Sequence, residues 1–267
     1  MTRELDSDLI SIAISSIGVF DSGVGGLSIL RALRSELPQE NFTYMADSGF
    51  APYGERDDSF VVERARKLAQ QLLDDHAIKA LVIACNTATA AAVHVLRTEL
   101  PGLAIVGVEP ALKPALALTR TGRIGVLATR GTLASAKFRA LHDSLKQQAD
   151  FRVQPCDGLA DAIENHDSAR TLGLCRQYTG ALGTFGTGAG EIDTLVLGCT
   201  HYPFAQEPLR ALLGSAVQLV ETGQPVARQT RRLLEETGKL NPNGAGTVTY
   251  LSTGDLSQLQ RSAARWL

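Results

Sequence analysis

The sequence predicts an α/β protein made of two similar halves, each with a mainly parallel sheet. Two observations carry this expectation. Short apolar, β-branched runs alternate along the chain with helical patterns, as in sheets covered on both faces. A long-period repeat is also visible. "IGVFDSG" at 17 is echoed by "IGVLATRG" at 124, and "FTYMADSG" at 42 by "FRVQPCDG" at 151. "LVIACNT" at 81 is echoed by "LVLGCTH" at 195, and "VEP" at 108 by "VET" at 220. The separations are 107, 109, 114 and 112 residues. One such match is weak, since strand–loop units resemble one another, but four in the same order argue for a duplicated unit.

The expected strands are, in order, "IGVF" (17–20), "FTYM" (42–45), "ALVIA" (80–84), "AIVGV" (104–108) and "RIGVLA" (123–128). They continue with "FRVQ" (151–154), "TLVLG" (194–198), "VQLV" (217–220) and "TVTYL" (247–251). The clearest helix is 59–76, with Asp57, Asp58 and Ser59 as candidate caps and Val62, Ala65, Ala69 and Leu72 on one face. The segment 183–193, rich in glycine and threonine, reads as a turn-rich connection.

Composition narrows the function classes. The chain has 267 residues, 44 % hydrophobic and 20 % charged, enough for one large or two modest domains with real cores. With 26 basic and 28 acidic residues the net charge is −2, so nucleic acid and anionic membrane surfaces are not expected partners. The first residues are acidic, unlike a secretory signal, and the apolar run Ile10–Phe20 is broken by serines and a glycine. No stretch approaches the ~20 apolar residues of a membrane helix. The expected location is the cytoplasm, where thiols stay reduced. The cysteines, Cys85, Cys156, Cys175 and Cys199, contain no C-x-x-C pair, so a structural zinc site is not expected.

The chemistry lies in loops after the strands, where open parallel sheets bind ligands. "FDSGVGGLSIL" (20–30) sets Asp21, Ser22, Gly23, Gly25 and Gly26 between a strand and a helix. Free N–H groups at that helix start favour an anion, although Asp21 argues for a ligand with a positive group, and a tight turn is the plainer alternative. It is neither a dinucleotide fingerprint nor a P-loop. "ADSGFAPYGER" (46–56) carries Asp47 and a Pro52-Tyr53-Gly54 turn. In "ACNTATA", Cys85 precedes a helix that Asn86 or Thr87 could cap, and a helix start stabilises a thiolate. Cys199 is expected in the same setting, with His201 two residues on and on the same side of an extended strand end. Buried inert cysteine is the default for any one of these thiols.

Together these motifs resemble the glutamate racemases of the cofactor-independent aspartate/glutamate racemase superfamily. The resemblance runs from "IGVFDSGVGGLSIL" through "ADSGFAPYGER", "VIACNTAT", "GVLATRGTL" and "LVLGCTHYP" to "VETGQPVA" and "LSTGD". It implies two pseudo-symmetric, doubly wound α/β domains, 1–109 plus 222–267 and 110–221, with the active site in the cleft between them. It implies that Cys85 and Cys199 are opposed acid and base, with Asp21, Asp47, His201 and Glu164 as auxiliary catalytic residues. Glu164 follows Cys156 by eight residues in "CDGLADAIE", which has Asp157 where the family often has proline. Substrate contacts map to Asp21, Ser22, Tyr53, Gly54, Asn86, Thr87, Thr200 and His201. Cys156 and Cys175 gain no role and stay packing residues. The resemblance further implies glutamate as substrate, D-glutamate supply for peptidoglycan, no cofactor or metal, and a homodimer.

The chemistry accords with that arrangement. Inverting an α-carbon requires removing a proton from one face and delivering one to the other, which two fixed thiols can do. A thiol of pKa about 8.5 is close enough to neutrality to serve as base and then acid. No lysine stands in the site motifs to hold pyridoxal phosphate, so preorganised donors around the substrate carboxylate must stabilise the carbanion. Two alternatives remain: an aspartate or hydantoin racemase sharing the thiols, and a silent amino-acid-binding protein that would not need both.

Overall fold

The computed structural model describes residues 15–267; the beginning of the Ile10–Phe20 run lies outside the described residues. The chain forms two compact units. One comprises the described part of Met1–Ala51 with Asp57–Val108 and Gly223–Leu267; the other comprises Pro52–Arg56 and Glu109–Thr222. Pro52–Arg56, expected with the first half, groups with the second because a Cβ on Gly54 would lie only 3.0 Å from Cβ of Thr129.

In the first unit, strands β1 (Ile17–Asp21), β2 (Phe42–Ala46), β3 (Ala80–Ile83), β4 (Ala104–Gly107) and β9 (Val248–Ser252) form one sheet in the order β4-β3-β1-β2-β9. Every pairing is parallel, with Ile17 opposite both Phe42 and Ala80. β1, β2 and β3 are buried at every residue, which is why they read as continuous apolar runs instead of alternating ones. Helix α1 (Leu27–Glu36) buries Leu27, Ile29, Leu30 and Leu33 and stops just before Pro38, whose ring cannot continue it. Helix α2 (Asp58–His76) starts within one residue of expectation, but its buried stripe is Val61, Ala65, Leu68, Ala69 and Leu72, with Val61 in place of Val62. Asp57 occupies its cap position without a side-chain cap bond. The helix ends at Ala77, in a left-handed conformation (φ 45°), whose N–H donates to the Leu73 carbonyl. Helix α3 (Asn86–Glu99) completes the β3–β4 crossover.

The second unit holds β5 (Arg123–Ala128), β6 (Asp150–Pro155), β7 (Thr194–Gly198) and β8 (Gln218–Val220), in the order β6-β5-β7-β8, again all parallel. Read in reverse, this order is that of β4-β3-β1-β2 with each number raised by four. The sequence echo is therefore a repeat of topology, and β9 is an added strand of the first sheet. Helices α4 (Leu112–Leu118), α5 (Arg130–Ala134), α6 (Ala136–Leu145), α7 (Leu159–Glu164), α8 (Ser168–Leu182) and α9 (Gln206–Leu213) belong to this unit. Leu112, Ala115, Ile124, Val126, Phe138 and Val196 form the centre of its core. The segment expected to be turn-rich contains an isolated bridge between Phe185 and Ile192. The chain returns to the first unit through α10 (Gly223–Glu236) and α11 (Leu256–Trp266), the latter capped by Asp255 accepting from Ser257 N–H. No helix among the described residues is long and apolar enough to cross a membrane.

Candidate active site

In the first unit the site residues stand at the carboxyl ends of β1, β2 and β3. Asp21 is the last residue of β1 and is fully buried. Its Oδ1 accepts from the Ser22 amide at 2.7 Å, and its Oδ2 accepts from the Gly26 amide at the start of α1. The expected anion site at this helix start is thus filled by the protein's own carboxylate, which satisfies amides that would otherwise lack partners. Glycine is required at 26 by close approach: a Cβ there would lie 2.7 Å from both Asp21 Cβ and Tyr44 Oη. Tyr44 in turn donates to the Gly23 carbonyl at 2.7 Å and ties the turn to β2.

Cys85 follows β3 and is itself the N-cap of α3, the position expected of Asn86 or Thr87. Its Sγ accepts from the Ala88 amide at 3.5 Å and lies 3.9 Å from the Ser22 hydroxyl. Asn86 and Thr87 are buried in the first helical turn. Asn86 is 3 % exposed, and neither its Oδ1 nor its Nδ2 has a hydrogen-bond partner among the described residues. Such an amide costs about 1–3 kcal/mol when left unmatched, so a buried polar group of this kind marks a place where a ligand completes the bonding.

Asp47, after β2, donates its amide to the Asp21 carbonyl at 2.8 Å. Its carboxylate receives two bonds from Arg64, Nε at 2.9 Å and Nη2 at 2.7 Å, and one from the Thr253 hydroxyl at 2.8 Å. Arg64 lies in none of the quoted motifs, and Thr253, although inside "LSTGD", has no role that local pattern could assign, because their partner is 17 and 206 residues away.

In the second unit Cys199 follows β7. Its setting differs from that of Cys85. The chain turns through a 3-10 segment, Tyr202–Ala205, before α9 begins at Gln206, so Cys199 caps no α-helix. His201 takes the place of the helix start, with Nδ1 3.8 Å from Cys199 Sγ and Nε2 2.7 Å from Glu164 Oε2. Burial opposes the charged imidazolium, but the bonds and negative charge of Cys199 and Glu164 outweigh it and hold the His201 pKa well above the ordinary histidine value. Thr200 is buried as well. Tyr202, which the sequence reading did not single out, is buried and donates to the Cys156 carbonyl at 3.4 Å. Tyr53 is buried at the start of the 3-10 turn Tyr53–Glu55, and Gly54 beside it lies against Thr129, the N-cap of α5.

The two remaining thiols are unlike these. Burial pushes the Cys175 thiol up to about 11 and the Cys156 thiol higher still. Among the described residues no group of three or more His, Cys, Asp or Glu could hold a metal ion.

Comparison with known proteins identifies the family. The family model described as Asp/Glu/Hydantoin racemase matches residues 25–230. A glutamate racemase from Ectopseudomonas mendocina is 48 % identical over 246 residues, covering 91 % of each chain. The structure of Escherichia coli glutamate racemase in complex with L-glutamate and the activator UDP-MurNAc-ala superposes with a TM-score of 0.82 at 32 % identity, covering 94 % of this chain and 95 % of that one. The Francisella tularensis glutamate racemase in complex with D-glutamate gives a TM-score of 0.80 at 26 % identity, covering 96 % and 94 %. Motifs, duplicated topology and these matches agree, and the chain belongs to the Asp/Glu/Hydantoin racemase family.

Proposed function

We propose that the chain is a glutamate racemase that interconverts L- and D-glutamate, with Cys85 and Cys199 as its two acid–base groups. The observation that carries this reading is the placement of two thiols after equivalent strands, β3 and β7, each with polar partners at hand. For Cys85 these are the Ala88 amide and the positive end of the α3 dipole. For Cys199 the partner is His201, made cationic by Glu164. The names of the relatives support glutamate as the substrate.

One thiolate takes the α-proton from its face of the substrate, and the other thiol delivers a proton to the opposite face. In the reverse direction the roles exchange; by the family resemblance Cys85 takes the proton from D-glutamate and Cys199 from L-glutamate. The unmatched amide of Asn86 supplies donors for the substrate carboxylate, where charge builds as the carbanion forms. Ser22, Thr87, Thr200, Tyr53 and Gly54 contribute further contacts. Asp21 acts on substrate through the loop that its carboxylate organises.

Reduced catalytic thiols suit a cytoplasmic enzyme, and D-glutamate supply to peptidoglycan is the cellular role. A homodimer is part of the proposal and rests on resemblance; light scattering that gives a monomer mass at working concentration would remove it. The activity is tested by circular dichroism, following each glutamate enantiomer without added cofactor. Both are expected to relax to the racemate, and faster turnover of aspartate than of glutamate would overturn the substrate assignment.

A further inference from the structure

The structure assigns Arg64 as a positioning residue and makes Asp47, its partner, a strut and not a proton carrier. The inference rests on the racemase reading and refines it, because resemblance places Asp47 among the auxiliary catalytic groups. The geometry points elsewhere. Asp47 is fully buried, and both carboxylate oxygens are engaged: Oδ2 by Arg64 Nε, Oδ1 by Arg64 Nη2 and the Thr253 hydroxyl. A carboxylate held bidentately by a guanidinium and by a third donor is poorly placed to accept a substrate proton.

The same atoms tie four segments together. The side chain of Arg64, on α2, is 11 % exposed, and its guanidinium carbon sits 3.6 Å over the centre of the Phe50 ring, a second contact that holds it. Thr253, after β9, donates to Asp47 and accepts from the Gly49 amide at 3.2 Å, while its own amide donates to the Ala46 carbonyl at 3.0 Å. The Asp47 amide donates to the Asp21 carbonyl at 2.8 Å. Asp21 is followed by Ser22, whose hydroxyl lies 3.9 Å from Cys85 Sγ. Arg64 therefore sets, through Asp47 and the Asp21 main chain, the placement of a hydroxyl 3.9 Å from the first thiol. Lysine cannot substitute fully, since a point charge does not supply the two parallel bonds or the stacked plane.

The test is a double-mutant cycle in the full-length protein with Asp47→Asn, Arg64→Ala, the double variant and Arg64→Lys, each checked for a folded melt. Both single variants are expected to lose about tenfold in kcat/KM, with the double no worse than the poorer single and Arg64→Lys in between. The apparent pKa values of the kcat/KM profile should stay those of the parent. Independently of turnover, Arg64→Ala should speed alkylation of Cys85 about threefold while leaving Cys199 unchanged, and should speed amide exchange at Asp47, Gly49 and Phe50. Losses that multiply in the double variant, a pH limb moved by Asp47→Asn but not by Arg64→Ala, or unchanged Cys85 labelling and amide exchange would overturn the assignment. A parent protein that fails to racemise glutamate would sink the racemase reading instead, and the labelling and exchange measurements would still decide the strut.

Discussion

Nε2 of His201 lies 2.7 Å from Oε2 of Glu164, an ion pair almost entirely removed from water, with Cys199 on the opposite ring nitrogen. The carboxylate and the thiol together keep a buried imidazole cationic where burial alone would neutralise it. Cys199 has a cationic imidazole beside it, where Cys85 has the start of α3. The duplicated fold thus gives its two thiols different local surroundings.

That pair predicts a pH signature. Glu164→Gln should bring the His201 titration, followed by nitrogen NMR, down toward the ordinary value of about 6.5. Because the folded pKa is raised, the stability contributed by the charged imidazole is fully present below the unfolded value of about 6.5 and is lost as pH rises through the folded pKa. The stability gap between parent and Glu164→Gln should therefore be widest near pH ~6 and shrink toward alkaline pH. An unchanged His201 titration would refute the coupling.

Replacing either Cys85 or Cys199 with serine should abolish racemisation, because serine is a far weaker base near neutral pH. Each variant should still eliminate HCl from one enantiomer of a β-chloro analogue, where a single proton abstraction suffices, with opposite preferences. Racemisation near the parent rate in Cys199→Ser would refute the two-thiol mechanism.

Alkylation should separate the four thiols. Cys85 and Cys199 are expected to react first and to be protected by glutamate, whereas Cys175, pushed up to about 11, and Cys156, higher still, should lag. Peptide mapping with equal labelling at all four would contradict this.

Asn86→Ala should split stability from activity. It removes an amide with no partner among the described residues, so the melting temperature should hold or rise, while kcat/KM falls by about tenfold or more. A variant that loses stability in proportion to activity would show that Asn86 is a packing residue.

Gly26→Ala should cost about 1–3 kcal/mol and lower activity, because the added methyl meets Asp21 Cβ and Tyr44 Oη at 2.7 Å. A parent-like melt and rate would mean that the Asp21 loop tolerates displacement.

Amino-acid order alone carried the α/β class, nine strands to within about two residues, the repeat, and both thiol motifs. These were legible because buried parallel strands are continuous apolar runs and because Cys-Asn-Thr and Cys-Thr-His end equivalent ones. Cys199 and His201 do lie close, at 3.8 Å, but through a turn in which His201 is in the right-handed helical region, not through the extended chain that the i, i+2 spacing suggested. Tertiary structure decided what periodicity cannot express. That Asp21 fills its own helix start depends on where five residues of turn bring the Gly26 amide back. That Asp47 is matched by Arg64 and Thr253 depends on which helix and strand the sheet sets beside β2, and β9 joins it from about 200 residues away. Which residue caps α3, and that Cys199 has a histidine where Cys85 has a helix, follow from the path of the chain after each strand. Partners distant in sequence leave no local pattern, so only the folded chain names them.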